Sequence, residues 1–204
     1  MIIYLANISG LDIETVSIDK LSDRARAKFE RLKKNAPLKA VQTAVGDLVL
    51  TYAKKQFGIE SDVCENAQGK PFFTRSDMHF SITHSDEIVA VSLSEFNHGT
   101  DVEKLRRVDE KTVRGVLSPF MYLDYLKADD AEKDKMFVRA FTEKESYVKY
   151  LGSGFCGKPS SIEPKGVKFL TKYLFRDSDI YCLTICSETE EEYKFQPIDI
   201  KEIL

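Results

Sequence analysis

The chain has 204 residues, 43% of them apolar and 31% charged, which allows one full domain or two small halves at about 150 residues per domain. That composition excludes collagen-like, low-complexity and disordered classes, and no run approaches the roughly 18 to 20 apolar residues of a membrane span. Net charge is only −3, yet residues 20–40 carry eight bases against two acids, a window of +6 that leaves −9 for the remainder.

A general nucleic-acid binder is basic over its whole domain, so nucleic acid is not an expected partner. A basic window on an acidic chain is either a solvated helix face or a landing site for a phosphate-bearing partner. The opening MIIYLANISGLDIE has no basic n-region and turns acidic, so no secretory signal is expected and the cytoplasm is the expected location. Cys64, Cys156, Cys182 and Cys186 form no CxxC pair and no metal-ligand spacing with histidine, which reads as reduced thiols.

In chain order, Met1 to Ala6 is a short apolar run fit for a strand. Leu21, Ala25, Phe29 and Leu32 then recur at helical spacing, as do Leu38, Val41, Val45, Leu48 and Tyr52. Pro37 separates these two helices and Gly58 is placed to end the second. A turn-rich stretch through Gln68 and Gly69 precedes two strands, HFSIT and EIVAVSLS, and a third begins near His98. In the first of these, Phe80 and Ile82 are expected inward, with His79, Ser81 and Thr83 on the other side. Helical segments follow over 108–128 and, more strongly, 131–151. The tail returns to strands in VKFLTKYLF, IYCLTICS and YKFQPIDI, with SETEEE as the expected turn of a last hairpin. The order of strand, helices and strands thus occurs twice. It predicts an α+β protein of two similar halves, 1–98 and 99–204, packed as a pseudo-dimer.

Three places strain local rules. Asp101 and Glu103 lie two apart on one strand, so both carboxylates project to one side and repel unless something positive lies between them. Such a pair is either an exposed edge or the oxygen donor set of a hard cation. On the 131–151 helix, Phe137, Ala140, Phe141, Val148 and Leu151 form an apolar stripe, and Lys144 falls in its middle, where an unpaired charge is costly. Glu145 and Lys149 sit on the shoulder, four apart, as an i,i+4 surface pair or as groups turned toward a charged ligand. Third, Gly69, Lys70 and Pro71 precede a strand ending in Thr83, His84 and Ser85, so a lysine and several polar groups converge on one strand end.

Four segments in this order, GKPFF, FSITHS, GTDVE and FTEKESYVKYLG, resemble the Sfp-type 4′-phosphopantetheinyl transferases; GTDVE followed by KExxxK is the specific part of the match. The resemblance implies an enzyme that moves phosphopantetheine from coenzyme A to a serine of an apo acyl, peptidyl or polyketide carrier protein and releases 3′,5′-ADP. It implies Mg²⁺, or Mn²⁺, held by Asp101, Glu103 and Glu145. Glu145, directly or through a metal-bound water, is the implied base, with Asp101 and Lys149 as the other catalytic residues, Lys149 at the leaving phosphate. Lys28, Arg31, Lys70, Thr83 and His84 match positions for the adenosine and 3′-phosphate end of CoA, and Lys144 is added as a further phosphate ligand. The chain also matches the family in length, and a monomer acting without membrane or nucleic acid is the expectation. A CoA-binding protein without transfer activity and a metal-dependent phosphoanhydride hydrolase are the competing readings. The chain departs from the family pattern at Ser81 and Thr83 within FSITH, at Phe141 in place of a tryptophan, at Gln42 in place of an arginine, and at Thr100.

Overall fold

A computed structural model describes residues 1–154 and 157–204. Its elements, in chain order, are β1 (Ile2–Asn7), α1 (Asp23–Leu32), α2 (Pro37–Gln56), β2 (Val63–Glu65), β3 (Pro71–Phe73), β4 (His79–Ser85), β5 (Ile88–Ser94), β6 (His98–Lys104), α3 (Glu110–Val116), α4 (Pro119–Lys127), α5 (Asp130–Leu151), β7 (Lys168–Arg176), β8 (Asp179–Ser187) and β9 (Lys194–Ile198). The chain is α+β and forms two compact units. One comprises Met1–Asp62, Phe73–Glu95 and Glu191–Leu204; the other comprises Val63–Phe72 and Phe96–Glu190. Cys156 lies outside the described residues, and among those described no helix is long and apolar enough to cross a membrane.

The first unit is built on a sheet of order β4-β5-β1-β9. β1 runs antiparallel to β5, with Tyr4 opposite Val91, and parallel to β9, with Tyr4 opposite Gln196. This pairing corrects the expected last hairpin: SETEEE does not fold β9 back on β8 but carries the chain to β1 in the other sheet. α2 begins with Pro37 in its first turn, where a missing N–H costs nothing, and closes before Gly58 in the left-handed conformation at φ +63°. It lies against the sheet so closely at Gly46 that a Cβ there would stand 3.0 Å from Ile82 Cγ2. Val41, Val45 and Val49 of α2 and Val89 and Val91 of β5 are fully buried in this core. The start of α1 is fixed to α2 by Asp47, whose carboxylate accepts from the Ser22 N–H at 2.8 Å and the Ser22 hydroxyl at 2.6 Å. In β4 the expected alternation of burial does not hold: Ser81 and Thr83 are buried with Phe80, while Ile82 is only half-buried.

The second unit holds an antiparallel sheet of order β6-β8-β7, with α5 along β6 and β8. Asp101 lies opposite Thr184 and Glu103 opposite Cys182, so the odd-numbered residues of β6 share a face with Cys182, Thr184 and Cys186. The helical segments expected over 108–128 are α3 and α4, which part where Ser118 caps a new start by accepting the Met121 N–H and Pro119 follows it at the first position. α5 opens with Asp129 accepting from the Glu132 N–H at 2.9 Å. It ends at Gly152, left-handed at φ +66°, whose N–H reaches the Val148 carbonyl at 2.9 Å. Phe137, Ala140 and Val148 are buried as the stripe requires, whereas Phe141 is half-buried and Leu151 is 53% exposed. Burial pushes the Cys186 thiol up to about 12 and raises that of Cys182, which keeps both as inert apolar fillers.

Candidate active site

The crossing of α5 over β6 is set by Gly99. A Cβ at that position would lie 2.0 Å from the Ser146 carbonyl oxygen and 2.4 Å from the Tyr150 nitrogen, both main-chain atoms that cannot swing aside. Only glycine permits this approach. Gly99→Ala is therefore expected to force the helix off the strand, at a cost of about 1–3 kcal/mol or more, and to lower the melting temperature measurably. A melting curve superimposable on that of the parent protein would contradict the close approach.

The crossing brings one face of β6 under one face of α5. Lys149 Nζ lies 2.7 Å from Asp101 Oδ1 and donates to the Thr100 carbonyl at 3.1 Å. Asp101 is only 4% exposed, so this is an ion pair in a poorly hydrated place. Glu145, one turn earlier, has its carboxyl pushed up to about 7, first by burial and then by the negative charge of Asp101; Lys149 opposes the shift and Glu103 adds to it. Two carboxylates outweigh one ammonium at Glu145, which marks the cluster as short of positive charge.

Lys149 thus pairs with Asp101, and Glu145 feels the charges of Asp101, Lys149 and Glu103. Three carboxylates from one strand and one helix are the donor chemistry of a hard dication that keeps several waters, and the excess negative charge fits the same ion. Among the described residues no group of three or more His, Cys, Asp or Glu side chains is arranged so that it could hold a metal ion as it stands.

Other implied residues stand apart from this cluster. Lys144 is 5% exposed and its Nζ donates to the Pro159 carbonyl at 2.8 Å; burial lowers its pKa. Lys70 Nζ donates to the Tyr150 carbonyl at 3.2 Å and to Asn97 Oδ1 at 3.3 Å, and burial lowers its pKa as well. In the first unit, Lys28 and Arg31 are exposed on α1, Thr83 is buried in β4, and His84 is half-buried beside it. Gln42 is 4% exposed and donates to the Asp86 carbonyl at 2.8 Å, which fixes the β4–β5 turn just beyond His84. The sequence does not mark Asn66 and Asn97 as site residues. Their partners lie across the fold, and the only local signal is the Asn-x-x-Gly turn that Asn66 begins.

The family model described as the 4′-phosphopantetheinyl transferase superfamily matches residues 97–200, a span that contains Asp101, Glu103, Glu145 and Lys149. The 4′-phosphopantetheinyl transferase gsp of Aneurinibacillus migulanus is 33% identical over 90 residues, 44% of this chain and 38% of that protein. The 4′-phosphopantetheinyl transferase Sfp of Bacillus subtilis (strain 168) is 31% identical over 120 residues, 56% of this chain and 54% of that protein. A second Bacillus subtilis 4′-phosphopantetheinyl transferase is 28% identical over 120 residues, again 56% of this chain and 54% of that protein. The chain spans about half, or less, of the length of these curated relatives. The matched span covers half of this chain and carries the whole carboxylate and lysine cluster, and the chain belongs to the 4′-phosphopantetheinyl transferase superfamily.

Proposed function

We propose that this protein transfers 4′-phosphopantetheine from coenzyme A to a serine of an apo acyl, peptidyl or polyketide carrier protein. The observation that carries the reading is the convergence of Asp101, Glu103, Glu145 and Lys149 on one poorly hydrated cluster short of positive charge. The serine oxygen bonds to the phosphorus that bears pantetheine, and the bond from that phosphorus to the bridging oxygen breaks. 3′,5′-ADP leaves with the electron pair. Glu145 takes the serine proton at a carboxylate oxygen, and Lys149 directs its ammonium at the leaving phosphate. Mg²⁺, or Mn²⁺, on Asp101, Glu103 and Glu145 would neutralise the pyrophosphate when bound.

In this reading Lys28, Arg31, Lys70, Thr83 and His84 serve the adenosine and 3′-phosphate end, and Lys144, whose Nζ also donates to the Pro159 carbonyl, is a further phosphate ligand. The basic window of α1 is suited to a phosphate dianion. Replacing Lys28, Arg31 or His84 is expected to weaken CoA by about tenfold while changing 3′-dephospho-CoA little, because only CoA carries that phosphate. Isothermal titration with both ligands checks this, and equal weakening would contradict it. A cytoplasmic location and a monomeric state belong to the same proposal.

Product identity tests the whole reading. With CoA and Mg²⁺, 3′,5′-ADP is expected only when an apo carrier protein is present. Free phosphopantetheine without carrier would identify a hydrolase instead. CoA binding with no product in either case would identify a binding protein.

A further inference from the structure

Three side chains grip the carbonyls at the end of α5. Asn66 Nδ2 donates to the Gly152 carbonyl at 2.8 Å, and Asn97 Nδ2 donates to that of Tyr150 at 3.2 Å. Lys70 Nζ reaches the same Tyr150 carbonyl at 3.2 Å. The last carbonyls of a helix lack partners within it, and a cation there also complements the helix dipole.

Asn66 uses both ends of its amide. Its Oδ1 accepts from the N–H groups of Gln68 at 3.0 Å and Lys70 at 2.9 Å, which closes the turn between β2 and β3. Its Nδ2 carries that turn to the helix. The fit is tight, since a Cβ on Gly152 would meet Lys70 Cδ at 3.0 Å and Asn66 Nδ2 at 3.1 Å. The gripped turn is the one that carries Lys149, adjacent to Tyr150, and Lys149 Nζ rests on Asp101 Oδ1 at 2.7 Å.

The geometry points to Asn66 as a positioning residue for the transfer reaction: by holding the Gly152 carbonyl and the turn that presents Lys70, it keeps the last turn of α5 in place so that Lys149 stays on Asp101. This rests on the role given to Lys149 under the transfer reading. A displacement of under an ångström at a group that must meet a leaving phosphate is costly to rate and nearly neutral to ground-state binding.

The test uses the full chain with saturating Mg²⁺ and CoA and an apo acyl carrier protein. Asn66→Asp keeps the two turn hydrogen bonds but has no donor for Gly152. It is expected to lower kcat about tenfold, leave KM for CoA within about twofold, and shift the melting temperature by only a few degrees. Asn66→Ala loses both functions and is expected to raise KM for CoA as well. Wild-type kcat in Asn66→Asp would overturn the assignment, as would a loss that vanishes once rates are divided by the folded fraction. If Asn66→Asp does not fold, Asn97→Asp serves in its place: it keeps the acceptor for Lys70, loses the donor to Tyr150, and is expected to show the same fall in kcat. An active Asn66→Asp beside an inactive Lys149→Met sinks this inference alone, whereas activity in both sinks the transfer reading of α5.

Discussion

Glu145→Gln is expected to lower transfer by about 10²–10⁴-fold while raising the melting temperature of the metal-free protein above neutrality. Both effects have one cause. Burial first, then the charge of Asp101 with a smaller addition from Glu103, outweighs the opposing Lys149 and raises the Glu145 carboxyl from 4.5 to about 7. A carboxyl whose folded pKa is raised binds its proton more tightly in the folded chain, so folding is penalised as pH climbs from about 4.5 and the penalty is complete above about 7. A tenfold difference in proton affinity corresponds to about 1.4 kcal/mol, and partial solvation reduces the total to the order of 1–2 kcal/mol. Melting in chelator should therefore show Glu145→Gln more stable than the parent at pH 8 and indistinguishable from it near pH 4. Added Mg²⁺ should raise the melting temperature of the parent and not that of the variant. A variant equally active, or less stable at pH 8, would contradict the carboxylate cluster.

Lys149→Met is expected to reduce turnover by about a hundredfold, the scale of a lost acid or electrostatic donor. On sequence alone Lys149 is also a surface partner of Glu145, worth only about 0.2–0.5 kcal/mol. The structure gives it a different partner, Asp101 on β6, and that changes the expected stability effect. Removing the ammonium deprives a buried carboxylate of its ion-pair partner, at a cost of about 3 kcal/mol when the pair is fully enclosed and less for the partly open one here. The melting temperature should fall. The double change Lys149→Met with Asp101→Asn should recover most of it without restoring turnover. Recovery of activity along with stability would show that Lys149 acts through folding alone.

What is legible in the sequence is what local chemistry encodes. The parity of Asp101 and Glu103 follows from strand geometry, and their neighbours Glu145 and Lys149 follow from helical spacing on a strongly capped helix. The glycine turn at Gly152 marks the end of α5 to the residue. Non-local pairing is not legible. β9 carries no local mark of preferring β1 over β8, and its parallel partner lies at the other end of the chain. Nor does anything in the spacing of Lys144 foretell the Pro159 carbonyl, or in Asn66 the Gly152 carbonyl, since each partner is supplied by the fold. The burial of Ser81 and Thr83 is of the same kind: both are buried although they alternate with Phe80 and Ile82, and nothing in their spacing announces it.

The central claim is that the cluster on β6 and α5 serves transfer to a protein serine. The most direct measurement is the intact mass of an apo carrier protein after incubation with this chain, CoA and Mg²⁺, beside a carrier whose acceptor serine is replaced by alanine. A gain of one phosphopantetheine on the first carrier and none on the second, abolished by chelator, is the predicted result. No gain on acyl, peptidyl or polyketide carriers by a chain that still binds CoA would contradict it.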